Sequence, residues 1–327
     1  MSSRHLERWR SRNSNRPGSL LMADRGFQVR RGDEIATEKN RYVVIQRLRE
    51  GGNSVPLVAF CINGPLAGVP CVVKVFDNID KPLRLQHFIA EGELLARLSH
   101  PSVIKVLDQG TISESYRGGE VDYAFHVTPL YKVTLLQRLR ERMTLVERVI
   151  VAIQLLSAIR YLSSLSDAII HRDIKPANIL LEERSCVLAD FGLFITQSHL
   201  DSRRSDATFR SAVGSDMPAD YLIPDLLYYA ATGADVSPAA NVFQLGLVLC
   251  ELFTGSKPGL KGPQRILDVA GLPNIAGIHG DELRSVLQAM LHTAAATRAS
   301  VDDALTILIR IGERLCIQNI ELNGRIF

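Results

Sequence analysis

Two carboxylates, an amide and an ammonium fall close together in the second half of the sequence. Asp173, Lys175 and Asn178 lie in the run His171-Arg172-Asp173-Ile174-Lys175-Pro176-Ala177-Asn178, and Asp190 opens Asp190-Phe191-Gly192, twelve residues beyond Asn178. Carboxylate and amide oxygens are hard donors of the kind Mg²⁺ takes, and a lysine beside them can offset charge on a phosphate. One Asp or Asn after a helix is an ordinary turn residue; this combination at this spacing is not. A further cation, Lys74, sits inside Cys71-Val72-Val73-Lys74-Val75-Phe76. A lysine in so apolar a strand is costly to bury unless it is paired.

The elements that would position these groups can be read from periodicity. Tyr42–Leu48, Val55–Ile62 and Cys71–Phe76 are short β-rich runs broken by Gly51-Gly52 and Gly64-Pro65, and they predict consecutive antiparallel strands. Alternation puts Lys74 on one face with Val72 and Phe76. Leu83–Leu98 predicts an amphipathic helix, Tyr123–Thr128 another strand, and Leu145–Ser163, apolar almost all round, a buried helix. Ile179–Leu181 and Val187–Ala189 predict a small hairpin between the two motifs. From about Leu222 to Leu315 the pattern is helical with Gly/Pro-rich breaks. The expected fold class is therefore α+β and bilobal: a small antiparallel-sheet lobe with one helix, then a larger, mainly helical lobe.

With these residues in place, the sequence resembles the protein kinases, and within them the Ser/Thr branch, where a Lys stands two after the catalytic Asp. The resemblance runs from about Tyr42 to Cys316. It implies a kinase domain over 41–316, with an N-lobe to about 128 and a C-lobe from about 131, and a tail over 317–327. It implies that Asp173 takes the substrate hydroxyl proton, that Lys175 sits beside the γ-phosphate, and that Asn178 and Asp190 hold Mg²⁺, or Mn²⁺, on ATP. Lys74 matches the lysine of the α/β-phosphates, whose partner is a helix glutamate. Glu91, three after Phe88 and four before Leu95, shares the buried stripe; Glu93 is about 200° further round. Glu91 is the expected partner. Gly92 beside it weakens that helix by roughly 1 kcal/mol. The glycine loop is eroded: Arg49-Glu50-Gly51-Gly52-Asn53-Ser54-Val55-Pro56 keeps Gly51 with Gly52 following, and Pro56 falls where a Val would cover adenine, a role that Val55 or Leu57 could take after a one-residue shift. In Val127-Thr128-Pro129-Leu130 the resemblance makes Val127 the gatekeeper and gives the backbones of Thr128 and Leu130 to adenine, with Val72 and Leu180 against the ring. Ile223-Pro224-Asp225 resembles Ala-Pro-Glu, with Arg298 as the partner of Asp225, and Gly214-Ser215 resembles the Gly-Thr before the substrate loop, with Tyr221 late. Asn241 replaces an Asp that braces the His-Arg backbone, and is expected to brace it less well. Ser202, Ser205, Thr208 and Ser211 are candidate phosphorylation sites, whose phosphates could pair with Arg172.

Composition bounds the rest. Of the 327 residues, 46% are apolar and 22% charged, which excludes collagen-like, mucin-like and wholly disordered readings. Five scattered cysteines, with no Cys-x-x-Cys, point to reduced thiols in a cytoplasmic protein and away from zinc or disulfides. No run approaches the roughly 20 apolar residues of a membrane helix. Residues 1–31 carry eight Arg against Glu7 and Asp24, so that net +6 of the formal +3 lies there and the remainder sums to −3. The expectation is a disordered arm over 1–40, either a solvated tail or a contact for nucleic acid or another acidic partner. The leading functional expectation is a Ser/Thr protein kinase acting on protein hydroxyls, with autophosphorylation of the activation segment. The alternatives are a kinase-fold scaffold that binds nucleotide with little turnover, motivated by the eroded loop, Pro56, Ile223 and Asn241, and a kinase of small molecules.

Overall fold

The computed structural model describes residues 27–48, 54–78, 81–116, 119–201, 221, 223–233, 236–257, 259–261, 266–268, 275, 277 and 279–323. The chain divides into two compact units, one of residues 1–99 and 104–130, the other of 100–103 and 131–327.

The first unit is built on a six-stranded sheet of order β1-β2-β3-β4-β6-β5, every pair antiparallel. Its strands are β1 Glu34–Ala36, β2 Arg41–Arg47, β3 Ser54–Asn63, β4 Pro70–Phe76, β5 Asp108–Tyr116 and β6 Gly119–Pro129. Alternation sorts their side chains onto two faces. One face holds Tyr42, Val44, Val55, Leu57, Ala59, Cys61, Cys71, Val73, Val75, Tyr123, Phe125 and Val127, closed by Phe27 and Ile35. On the other, the helix α1 (Pro82–Arg97) sets Leu85, Phe88 and Ile89 against Phe76 and Ala124. Gly64, in the turn between β3 and β4, has φ 98°, and a Cβ there would meet the Lys39 carbonyl oxygen at 2.0 Å, so only glycine fits.

The two edge strands are tied together at Asp108. Its Oδ2 accepts hydrogen bonds from Thr37 Oγ1 (2.7 Å), Asn40 Nδ2 (2.6 Å) and Tyr42 Oη (2.7 Å), all beside β1 or on β2. Burial first, and then Asp108, push the Tyr42 hydroxyl far above its usual range, so it serves only as a donor here. This knot corrects the expected domain boundary at 40/41. Phe27 is 2% exposed, and Ile35, Thr37 and Asn40 belong to the folded sheet unit. β1 and β5 went unread because β1 is three residues long and β5 (Asp-Gln-Gly-Thr-Ile-Ser-Glu-Ser-Tyr) is mostly polar.

The second unit is mainly helical. The helices α2 (Leu145–Ser164), α3 (Pro224–Thr232), α4 (Ala239–Thr254), α5 (Gly280–Met290) and α6 (Val301–Asn323) accompany small sheets of two or three short strands. Thr144 caps α2 in a reciprocal capping box with Glu147, which fixes where that buried helix starts. α6 continues to Asn323, so the tail expected from 317 begins inside it. Among the described residues no helix is long and apolar enough to cross a membrane.

Candidate active site

In the second unit, the hairpin of β7 (Ile179–Glu182) and β8 (Ser185–Leu188) explains the spacing of the two motifs. Two strands of four residues and a two-residue turn, with Glu183 at φ 52°, bring Asn178 and Ala189 opposite each other, where Ala189 N donates to Asn178 O at 2.9 Å. Asp190 follows immediately, exposed and at φ 60°. Non-glycine residues at such φ are uncommon, and another, Arg172 at φ 68°, directly precedes Asp173.

Asp173 is the centre of the candidate residues in this unit. Its Oδ2 accepts from Lys175 Nζ (2.8 Å) and from Asn178 Nδ2 (2.8 Å), and Asn178 Nδ2 also reaches the Asp173 carbonyl at 2.9 Å. Burial pushes the carboxyl up to about 6, and the charge of Asp190 adds to this, while Lys175 and Asn178 pull it down. Because the Asn178 amide nitrogen is committed to Asp173, its oxygen Oδ1 is the end that can serve a cation. With the exposed Asp190 carboxylate it makes an all-oxygen donor set, which fits Mg²⁺.

His171 locks this arrangement. Nδ1 accepts from Asp173 N (3.2 Å), so Nε2 carries the proton and donates to Ala189 O (3.1 Å). Its ring lies 4.4 Å from that of Phe191, and burial lowers its pKa to about 4, which keeps it neutral. Asn241 braces the same backbone from α4: Oδ1 accepts from His171 N (2.9 Å) and Nδ2 donates to Ile169 O (2.8 Å). Asn241 thus keeps a brace on His171 without the charge and adds a bond to Ile169 that an aspartate could not donate. Arg172 is engaged within its own unit. Its guanidinium is buried, donates to the carbonyls of Leu193 and Phe194, and lies 5.8 Å from the Tyr229 ring. Arg298 and Asp225 form the expected two-pronged pair at 3.2 and 3.0 Å. Leu180 lies on β7, opposite Val187 and Thr134.

The first unit carries its own set of candidate residues. Lys74 Nζ is 3.4 Å from Glu91 Oε1, and the glutamate side chain is only 3% exposed, a burial that requires the cation. Residues directly opposite in an antiparallel ladder share a face. Lys74 is opposite Pro56 and His126, and Val72 is opposite Val58 and Thr128. Two expectations are overturned by this register. Val127, expected as gatekeeper, is fully buried in the opposite face's core, and Thr128 is the residue on the Lys74 face. Val55 and Leu57, the alternatives for covering adenine, also point into that core; Val58, which the sequence did not single out, shares the face with Pro56. Leu130 follows β6 outside the sheet. Gly51, Gly52, Ser202, Ser205, Thr208, Ser211 and Gly214-Ser215 lie outside the described residues.

Comparison with known proteins agrees with this arrangement. Residues 65–307 match the model of the protein kinase domain. The chain is 29% identical over 252 residues to a probable serine/threonine-protein kinase of Dictyostelium discoideum, covering 73% of this chain and 25% of that protein. It is 31% identical over 221 residues to a probable serine/threonine-protein kinase of Clostridium perfringens, covering 67% and 29%. It is 30% identical over 223 residues to a DNA damage-responsive serine/threonine-protein kinase of Deinococcus radiodurans, covering 67% and 30%. The chain therefore spans between a quarter and a third of the length of these three relatives. With the match extending over most of the chain, and the motif residues held as described, the chain belongs to the protein kinase domain family.

Proposed function

We propose that the chain is an ATP-dependent serine/threonine protein kinase, which transfers the γ-phosphoryl group of ATP to serine and threonine hydroxyls of proteins. The observation that carries this reading is the Asp173 carboxylate, fixed by Lys175 and Asn178 in one hydrogen-bonded group. Asp173 takes the proton of the attacking hydroxyl as the new O–P bond forms, and the bond to the β-phosphate oxygen breaks with that oxygen keeping the electron pair. Lys175 offsets charge on the transferred group, and Lys74, held by Glu91, offsets charge on the remaining phosphates. Mg²⁺, with Mn²⁺ as a possible substitute, would supply charge neutralisation when held by Asn178 and Asp190. In the first unit Val58, Val72 and Thr128 on the Lys74 face and the backbone at Leu130 are groups for the adenine, and in the second unit Leu180 is assigned that role by the resemblance alone. Autophosphorylation between Ser202 and Ser211, a cytoplasmic location and an acidic partner for the Arg-rich residues 1–31 are further parts of the proposal.

The test is transfer of labelled γ-phosphate to the chain itself and to a basic protein substrate, with Asp190→Ala alongside. Label on wild type that is lost in the variant is the expected result, and mapping it tests the autophosphorylation sites. Nucleotide binding without transfer would overturn the reading in favour of a scaffold. Transfer to metabolites alone would move the substrate class.

A further inference from the structure

α4 is buried from Ala240 to Leu252, yet it carries Asn241, Gln244 and Glu251. At spacings of three and seven these side chains lie along one side of the helix. Polar groups in so apolar an environment persist only where each finds a partner. Gln244, 1% exposed, finds three. Its Oε1 accepts from Ile174 N at 3.4 Å, and its Nε2 donates to Arg172 O and to Tyr221 O, both at 3.1 Å. One amide therefore grips the backbone on both sides of Asp173. One of the gripped residues, Arg172, holds the left-handed conformation at φ 68° that surrounding structure must enforce. The third bond extends the grip to Tyr221, whose hydroxyl in turn donates to Glu251 two helical turns further along.

We infer that Gln244 is a positioning residue for the transfer step, setting the Asp173 carboxylate through its neighbours' backbone and tying that backbone to Tyr221. The inference rests on the kinase reading above. Gln244 bonds the backbone of Arg172, Ile174 and Tyr221, none of which is assigned to nucleotide or metal, so its loss acts on turnover and leaves nucleotide affinity alone. Gln244→Met keeps the volume and removes all three bonds. Gln244→Glu keeps an acceptor for Ile174 and can donate to a carbonyl only while protonated.

The experiment measures kcat, KM for ATP, and the melting curve for wild type and both variants between pH 6 and 8. For Gln244→Met the expected result is a kcat lower by about tenfold to a hundredfold, with KM for ATP within about twofold of wild type. For Gln244→Glu, activity relative to wild type at the same pH is expected to recover as pH falls, while the Met ratio stays flat. A fully active Gln244→Met, or a Glu variant whose ratio ignores pH, overturns the inference alone. If Gln244→Met shows no cooperative melt, the Glu variant carries the test. Loss of folding in both makes Gln244 a core residue only and also overturns it. Wild type that transfers no phosphate overturns the kinase reading, and this inference with it.

Discussion

Asp173 and His171, two residues apart, titrate in opposite senses, and this has separate consequences for activity and for stability. The working form of Asp173 is the carboxylate, so kcat should climb with pH through about 6, where burial has raised it. A pH–rate profile that is level from 5 to 7 would exclude that role. For stability, folded Asp173 holds its proton more tightly than the unfolded chain does, so its contribution falls as pH rises from about 4 to about 6. Folded His171, at about 4, holds its proton less tightly, so its contribution rises over about pH 4 to 6.5. In wild type these slopes offset each other. Asp173→Asn removes one of them. The variant should be inactive, and its melting temperature relative to wild type should climb by about 2–4 °C between pH 4.5 and 6.5. A constant difference would count against a strained, buried carboxylate. These residues were legible in the sequence as types and spacing. Their protonation was not, because it follows from burial and from partners up to 19 residues away in the chain.

At the level of elements, Arg298 joins α3 to the start of α4 and to the chain after α5. Every N–H of its guanidinium is engaged: Nε on His292 O, Nη1 on Asp225 Oδ1 and Ala239 O, Nη2 on Asp225 Oδ2 and Thr293 O. Lysine keeps the charge and loses the fork, so urea melts should place Arg298→Lys close to Arg298→Ala, about 3–5 kcal/mol below wild type. Near-wild-type stability for the lysine variant would show that charge alone suffices. Gly92 offers the converse case. A Cβ there would lie 3.2 Å from Gln109 Oε1, the movable end of a side chain, so Gly92→Ala should stabilise the chain by about 0.5–1 kcal/mol in the same assay. A loss would mean that Gln109 cannot yield. The Lys74–Glu91 pair was readable because both residues announce their face by local periodicity. Val127 and Val55 misled because a face depends on strand register, and a slip of one residue reverses every side chain. Register is set by pairing between distant segments and by the turns that join them, which a linear motif does not contain.

For the molecule as a whole, the chain's beginning separates two deletions that composition alone treats alike. Removing residues 1–26 takes six Arg with Glu7 and Asp24 and leaves every described contact in place. Removing 1–40 takes Phe27, β1, Thr37 and Asn40 as well. The second deletion should fall several kcal/mol below the first or fail to fold, since it opens the sheet core and strips two donors from a partly buried carboxylate. Equal melts for the two would place the fold's start after residue 40. Asp108 has a further consequence. β1 and β5 are the outer strands of the six, and strands in that position can recruit strands from other copies of a protein. With three donors from the β1–β2 side converging on the first residue of β5, the two margins are held near one another, and the sheet gains part of the protection that closure gives a barrel. Asp108→Asn should therefore do more than weaken the fold. Light scattering on warming should show the variant associating at temperatures where it is still largely native, with wild type remaining clear until it unfolds.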